Sequence, residues 1–111
     1  MANAFKLKTL DGSAIAANTT STVYTAPAST TTIVLGLTLS NISNNTIYAT
    51  VGITNADGDD VNFLKAVPIP TGSAIEVMSG NKIVLETGDA ITAASDVANS
   101  LDVSLSIMEQ S

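Results

Sequence analysis

The side chains best suited to chemistry in this sequence are carboxylates, and one group of them has the spacing of a cation site. Asn55, Asp57 and Asp59 match the i, i+2, i+4 spacing of the first ligands of a calcium loop. Such a loop also needs Gly at its sixth position and Glu at its twelfth, which here are Asp60 and Ala66. Because the pattern fails twice, we interpret the segment as a hairpin turn. Weak cation binding between subunits is the alternative.

A second set of carboxylates, Glu76, Glu86 and Asp89, could in principle act as the acid and base of glycoside hydrolysis. Glu86 follows an apolar segment and Asp89 follows Gly88 in a predicted turn, which are positions where solvated acids are common. Trp is absent and only four aromatic residues could stack against a sugar. We therefore predict no catalytic residues and no enzymatic activity.

The absence of several residue types excludes most other chemistry. The 111-residue chain contains no Cys, His, Arg or Trp, so it offers no thiol nucleophile, no Ser-His-Asp triad and no ordinary zinc site. Ten acidic and four basic residues give a net charge of −6, which argues against nucleic acid as a partner because phosphate binding needs clustered cations. The apolar runs are far shorter than the roughly 20 residues that span a bilayer. We predict no cofactor, no metal and no membrane contact.

Apolar residues at alternate positions predict β-strands along the chain. The alternation is clearest in residues 33–40, 47–54 and 101–108, and it is typical of an antiparallel sheet packed on one face. In the first of these segments, it places Ile33, Leu35, Leu37 and Leu39 on the core side. Shorter strand candidates are residues 5–10, 22–26, 61–67, 74–78, 82–86 and 90–93.

Turn residues separate these segments about every ten positions, at 41–46, 55–60, 68–73, 79–81 and 87–89. The sequence therefore predicts an all-β fold: a single antiparallel β-sandwich, jelly-roll-like, of about eight or nine short strands. An N-terminal strand or arm with its loop, residues 1–20, precedes the sandwich core at 21–111 within one domain. We expect at most a single helical turn, in residues 90–100.

Glycines and lysines inside the predicted strands give further expectations. Gly36 and Gly52 lie in the middle of strong strands, which predicts either a bulge or the close approach of a neighbouring chain. Lys6 and Lys8 share one face of the first strand, where they would protect a sheet edge from unwanted pairing. Lys65 interrupts an apolar face and is expected to reach solvent.

Four segments resemble the small all-β virion structural proteins of tailed bacteriophages. They are STVYTAPASTTTIVLGLTLSNIS, KAVPIPTGSAIEV, GNKIVLETGDAI and LDVSLSIMEQ, which together lie within residues 21–110. The shared elements are turn-and-strand signatures: Tyr24 and Thr25 before Pro27, the Pro68-x-Pro70 turn and the Gly88-Asp89 turn. The segment PAST lacks the Gly expected after Pro-Ala. The resemblance implies a virion component, commonly a trimer or larger ring, without catalytic residues.

Composition and resemblance together predict a capsid decoration or cement protein that stabilises the assembled shell. Alternatives are a tail, collar or fibre-attachment accessory protein, and a host-surface carbohydrate-binding module. The expected partners are further copies of the chain, with a trimer favoured, and the major capsid protein or other virion proteins. The expected location is the virion, assembled in the host cytoplasm. Candidate contact residues are Phe5, Leu7, Asn44, Asn45, Asp57, Asp59, Pro68 and Pro70.

Overall fold

The computed structural model describes residues 3–12, 15–78 and 82–110, which form two antiparallel β-sheets packed face to face. The predicted turn at 79–81 lies outside the described residues. The strands in chain order are β1 (Asn3–Leu10), β2 (Ser21–Thr25), β3 (Thr31–Asn41), β4 (Ile47–Thr54), β5 (Asp60–Ile69), β6 (Ala74–Glu76), β7 (Ile83–Leu85), β8 (Ala90–Ser95) and β9 (Leu101–Gln110). Branched and apolar residues dominate these segments, because they suit a pleated and half-buried surface.

The strand order is that of a jelly roll. Sheet A runs β1–β9–β3, and β6 and β7 pair with successive parts of the far edge of β3. Sheet B runs β2–β8–β4–β5. If β6 and β7 are counted as two halves of one edge strand, each sheet has four strands and the chain crosses between the sheets as in a double Greek key. The predicted antiparallel sandwich is confirmed.

The core lies between the two sheets and is built from every second residue of the long strands. In β4, Ile47, Ala49 and Val51 are fully buried, as their alternation predicts. In β9, the inward positions from Leu101 to Ile107 are buried to the same degree. Each large side chain of this kind contributes about 1.5–3 kcal/mol by leaving water. The core therefore fixes which face of each strand points outward.

Strand β3 departs from the predicted alternation. Thr32 and Val34 are buried near its start, whereas Leu37 and Leu39 are buried near its end. The register with β9 shifts between Val34 and Gly36, so that Leu35 is an extra residue in the ladder. One inserted residue moves all following side chains to the opposite face. The prediction that Ile33 and Leu35 point into the core is therefore wrong, and the bulge interpretation of Gly36 is confirmed.

Gly52 allows close approach, but from the chain's own neighbouring strand. The register between β4 and β5 shifts between Val51 and Gly52. A Cβ atom at Gly52 would lie 2.5 Å from the carbonyl oxygen of Val61 on β5, closer than real Cβ contacts come. The absence of a side chain at this position lets the two strands stay paired through the irregularity.

The strand boundaries decide three local expectations, of which the turn at Pro68 is corrected. Pro68 lies inside β5 and pairs with Tyr48, although the sequence predicts a turn at this position. A proline is tolerated there because β5 is an edge strand, where the missing N–H breaks no ladder. Residues 90–95 form β8, which confirms the strand candidate at 90–93 and leaves no helical turn at those positions. The N-terminal arm contains β1, which pairs with β9 from Asn3 to Leu10. No helix in the described residues is long and apolar enough to cross a membrane.

Candidate interaction surface

Four apolar side chains form a row across the outer face of sheet A. The register places Phe5 of β1 opposite Met108 of β9, Met108 opposite Ile33 of β3, and Ile33 opposite Val84 of β7. All four positions are out of phase with the buried residues of their strands, so their side chains leave the sheet on the side away from the core. The row therefore crosses the sheet at right angles to its strands.

The bulge in β3 enlarges this apolar surface. It turns two consecutive residues, Leu35 and Gly36, outward, and Leu7 occupies the next outward position of β1. Phe5 is 75% exposed, Leu7 66% and Val84 60%. Contiguous exposed apolar surface of several hundred Å² marks an interaction site on soluble proteins, whereas scattered apolar residues do not. We refer to the following residues together as the outer patch: Phe5, Leu7, Ile33, Leu35, Val84 and Met108.

Uncharged residues border the outer patch on β1, β9 and β3, whereas the exposed charged residues Glu76, Lys82 and Glu86 lie along its β6–β7 margin. On one side lies a row in which Asn3, Gln110 and Thr31 face outward in register. On the other side, beyond the row that contains Leu7, Thr9 pairs with Ser104, which pairs with Thr38. Charged groups are depleted at the centres of protein interfaces, because they would have to lose their hydration.

The four lysines of the chain all lie on or beside edge strands. Lys6 and Lys8 belong to β1 and occupy its core-facing positions, since they pair with Ile107 and Leu105. Lys65 is exposed on β5, and Lys82 directly precedes β7. Charged side chains on edges, and inward-pointing ones in particular, discourage a foreign strand from adding to a sheet. Three of the four sheet edges, all except β2, thus carry a lysine on or beside them, whereas the six residues of the outer patch are uncharged.

Glu76 protects a further stretch of edge. Its carboxylate accepts hydrogen bonds from the backbone N–H of Leu37 at 2.9 Å, from the hydroxyl of Thr38 at 2.9 Å and from the N–H of Met78 at 3.2 Å. Burial raises the pKa of Glu76, but these three hydrogen bonds outweigh it, so that the pKa is lower than its ordinary value. The Glu76 carboxylate therefore serves as the hydrogen-bond acceptor for backbone N–H groups beside the bulge.

A buried polar cluster joins the two sheets near their edge strands β1 and β2. The hydroxyl of Tyr24 on β2 donates to Oε2 of Glu109 on β9 at 2.6 Å and lies 2.8 Å from Oγ1 of Thr32 on β3. Nζ of Lys6 on β1 lies 2.7 Å from Oε1 of Glu109. The cluster ties one strand of sheet B to three strands of sheet A, and its residues satisfy one another's hydrogen-bonding groups.

The pKa values in this cluster reflect its partners. Hydrogen bonds from Lys6 and Tyr24 lower the pKa of Glu109, against the opposing effect of burial. Burial, together with the hydrogen bond to the Glu109 carboxylate, raises the pKa of Tyr24 to about 12. Neither residue lines any of the three surface depressions, whose volumes are about 240 to 290 Å³. The hydrogen bonds and the ion pair of this cluster thus all join groups within the protein, across the two sheets.

The structure does not bring the candidate glycosidase carboxylates together. Glu76 pairs with Thr38 in β3, whereas Glu86 follows Leu85, whose partner in β3 is Thr32. Six residues of β3 correspond to about 20 Å. Glycosidase carboxylates lie within about 10 Å of each other. Asp89 accepts hydrogen bonds from the N–H groups of Glu86 and Ala56, so it holds two turns together.

The turn that contains Asp57 and Asp59 is organised by the neighbouring asparagine. Oδ1 of Asn55 accepts the N–H groups of Asp57 at 3.0 Å and Asp59 at 2.9 Å, and Gly58 adopts a φ of +93°. This is an Asx-type turn, in which an amide side chain replaces a backbone acceptor. No three His, Cys, Asp or Glu side chains in the described residues gather in a way that could hold a metal ion.

The candidate contact residues fall on different surfaces. Phe5 and Leu7 lie together in the outer patch. Asn44, Asn45 and Pro70 lie at one end of the sandwich, where the turns after β3 and β5 are joined by a hydrogen bond from Asn41 to the carbonyl of Ile69. Asp57 and Asp59 lie in the β4–β5 turn at the opposite end, and Pro68 lies on the β5 edge. The sequence reasoning missed Ile33, Leu35, Val84 and Met108 as contact residues. The alternation in β9 already placed Met108 on the outward side.

Comparison with known proteins adds information on the fold. No protein-family model and no curated protein matches the chain. A chain from the solved structure titled "Bacillus endospore appendages form a novel family of disulfide-linked pili" superimposes with a TM-score of 0.54. The match covers 97% of this chain and 84% of that chain, at 13% sequence identity. The likeness shows the fold alone. At this identity, nothing about partners or assembly follows from it.

Proposed function

We propose that this chain is a non-enzymatic structural protein of a tailed-phage particle, with capsid decoration as its role. The observation that carries the proposal is the outer patch, a group of apolar side chains on one sheet face, with Phe5, Leu7 and Val84 exposed. Exposing an apolar face of this kind to water costs free energy, and the free energy falls when another protein surface covers the face. The resemblance of four segments to virion structural proteins supplies the phage context.

The proposed mechanism is stabilisation by mass action. A protein that binds the assembled shell and not the dispersed subunits shifts the equilibrium toward the assembled state. The outer patch would supply apolar contact area, and the turns at 41–46, 55–60 and 68–73 would contact neighbouring subunits at either end of the sandwich. The protected sheet edges favour contact through faces and turns over strand addition.

A tail, collar or fibre-attachment protein is distinguished from a decoration protein by its place in the particle. Such a protein would use the same fold and the same patch. A filament like the pili of the structural neighbour is a separate alternative. The pili of the structural neighbour are described as disulfide-linked. This chain contains no Cys, so a filament held by disulfides is not available to it.

The decisive experiment is binding to particles of the phage that encodes the chain. We expect the protein to cosediment with DNA-free capsids, and cryo-electron microscopy should show copies that follow icosahedral symmetry. Replacing both Phe5 and Val84 by Ser should weaken binding by at least about tenfold, because the two side chains lose apolar contact area. Val61→Ser is the matched control, since Val61 is 57% exposed on the edge of the other sheet.

Three outcomes count against decoration. Copies that follow threefold or sixfold symmetry would place the protein in the tail. Absence from purified particles and from binding assays would reject a virion role. Equal loss of binding in Val61→Ser and in the double variant would show that the outer patch is not the contact surface.

A second candidate, carbohydrate binding, is favoured by the surroundings of Tyr48. Its side chain is 48% exposed on the outer face of sheet B, beside a depression of about 270 Å³ lined also by Asn18, Thr50 and Asp96. One aromatic ring next to polar groups is the minimum of a sugar site. Under the decoration proposal, we expect no specific signal on a glycan array. A specific signal that Tyr48→Ala abolishes would replace decoration by host-surface adhesion.

A further inference from the structure

We propose that a second copy of this chain covers the outer patch, so that two sandwiches pack back to back through sheet A about a twofold axis. The inference rests on the proposed function in one respect, because both treat the outer patch as a contact surface. It adds the occupant and the symmetry of the contact in the free protein: a second copy covers the outer patch until binding to the shell displaces it, because one face cannot contact both at once.

The row of four side chains is complementary to itself. Consider a twofold axis that lies between the two copies, runs along the strands and passes midway between β9 and β3. This operation places Phe5 of one copy opposite Val84 of the other, and Met108 opposite Ile33. A large side chain then faces a small one at each margin, and two side chains of similar size meet in the middle. Sheets pack face to face in this way about 10 Å apart.

The available area is sufficient for a specific dimer. The face is formed by β1 with eight residues, β9 with ten, β3 with eleven, and β6 and β7 with three each. At about 3.3 Å per residue and about 4.8 Å between strands, it covers about 550 Å² per copy. Two such faces bury about 1,100 Å², which is above the roughly 1,000 Å² expected of a biological interface. We therefore expect a dimer whose dissociation constant is on the order of micromolar.

The charge distribution favours a second copy as the occupant. Each copy has a net charge of −6, but the cluster Asp57, Asp59 and Asp60 lies at a turn of sheet B, on the far side of the sandwich from the proposed contact. Charges separated by more than about 8 Å are largely screened at physiological salt. The exposed charged residues beside the row, Glu76, Lys82 and Glu86, lie on β6 or at the ends of β7. The twofold operation places this margin opposite β1, whose outward residues are uncharged, so these groups do not face one another across the proposed contact.

The alternative of pairing through sheet edges is disfavoured by lysines at three of the four edges and by the short, five-residue length of β2 at the fourth. Lys6 and Lys8 on β1, Lys65 on β5 and Lys82 before β7 would place like charges near any added strand that carried the same residues. Glu76 already satisfies the N–H of Leu37 beside the bulge. The outer face of sheet A is therefore the surface through which two copies meet at the lowest cost.

The test is the oligomeric state of the full chain, measured by size-exclusion chromatography with light scattering at concentrations up to about 100 μM. We expect a mass about twice the 11.3 kDa of one chain. Val84→Ser combined with Phe5→Ser should raise the dissociation constant at least about tenfold, and Val61→Ser should leave it unchanged. Dimerisation should not weaken as salt is added, because no ion pair crosses the interface. Circular dichroism verifies that each variant is folded.

A chemical cross-link tests the face directly, since the natural chain contains no Cys. Ser106→Cys introduces a thiol in the middle of the outer face of sheet A, and Thr22→Cys introduces one on the outward side of sheet B. A short bismaleimide should link two copies of the first variant and not of the second. Equal cross-linking of both variants would overturn the proposed face.

The remaining outcomes separate this inference from the proposed function. A monomer at all concentrations, or a trimer, would overturn the twofold contact. A monomer that still decorates capsids would overturn the contact and leave the proposed function standing. A dimer that binds no phage particle would leave the twofold contact standing and overturn the proposed function.

Discussion

Replacing Gly52 by Ala is expected to lower the free energy of unfolding by about 3 kcal/mol. The added Cβ would lie 2.5 Å from the carbonyl oxygen of Val61 and 2.9 Å from Oδ1 of Asn62. The nearest atom belongs to the backbone of β5, so relief requires a shift of the whole strand and not a change of rotamer. Because β4 pairs with both β5 and β8, the disturbance also reaches the inner strands of sheet B.

Gly36→Ala is the matched control, because Gly36 also lies in the middle of a long strand beside a register shift. The nearest atoms to a Cβ there are the carboxylate oxygens of Glu76 at 3.9 Å, which is ordinary contact. We expect a change of less than about 1 kcal/mol for this variant in denaturant unfolding. Similar losses in both variants would show that strand propensity, and not the contact with Val61, determines the cost.

Raising the pH from 10 to 12 is expected to remove about 2 kcal/mol of stability through Tyr24. The tyrosine has its ordinary pKa of 10.0 in the unfolded chain, whereas burial and the Glu109 carboxylate raise its pKa to about 12 in the folded protein. Above pH 10 the unfolded state releases the proton while the folded state still holds it. The stabilisation is therefore complete below pH 10 and is lost as the pH rises through 12.

The measurement is denaturant unfolding at several pH values in this window. Tyr24→Phe should abolish this part of the pH dependence and should cost about 2 kcal/mol at neutral pH, because Glu109 and Thr32 each lose a buried hydrogen bond. Tyr48→Phe, at the half-exposed tyrosine of sheet B, should preserve the alkaline loss. An unchanged alkaline slope in Tyr24→Phe would refute the assignment to this cluster.

The strands and their inward faces could largely be predicted, because alternation is a local property of the sequence. It is correct throughout β9 and in β4 from Ile47 to Val51, where each buried position follows the previous one by two residues. It fails in β3, since the extra residue at Leu35 is defined by the pairing with β9 and not by β3 itself. Gly36 in the middle of a strand made a bulge one of two interpretations. The exact position of the bulge, however, depends on which residue of β9 faces two residues of β3.

The candidate site was less predictable than the fold. Phe5 and Leu7 were identified from their own strand, whereas the row also needs Met108, Ile33 and Val84. These residues meet only because β1, β9, β3 and β7 pair in one register, and any of several alternating segments could have paired with any other. The same limit applies to the Tyr24–Glu109 hydrogen bond, whose residues are 85 positions apart.

The carboxylate of Glu76 has a consequence for how the protein tolerates crowding. It takes the place of a backbone acceptor for Leu37 at a point where the neighbouring edge is divided between β6 and β7. A strand from a misfolded chain would meet backbone that is already hydrogen-bonded, so this stretch offers it no template for fibril growth. Since the hydrogen bonds keep the pKa of Glu76 below its ordinary value, the blocking group stays charged in mildly acidic solution. The hydrogen-bonded backbone beside the bulge thereby acts as a safeguard against fibril growth at high protein concentration.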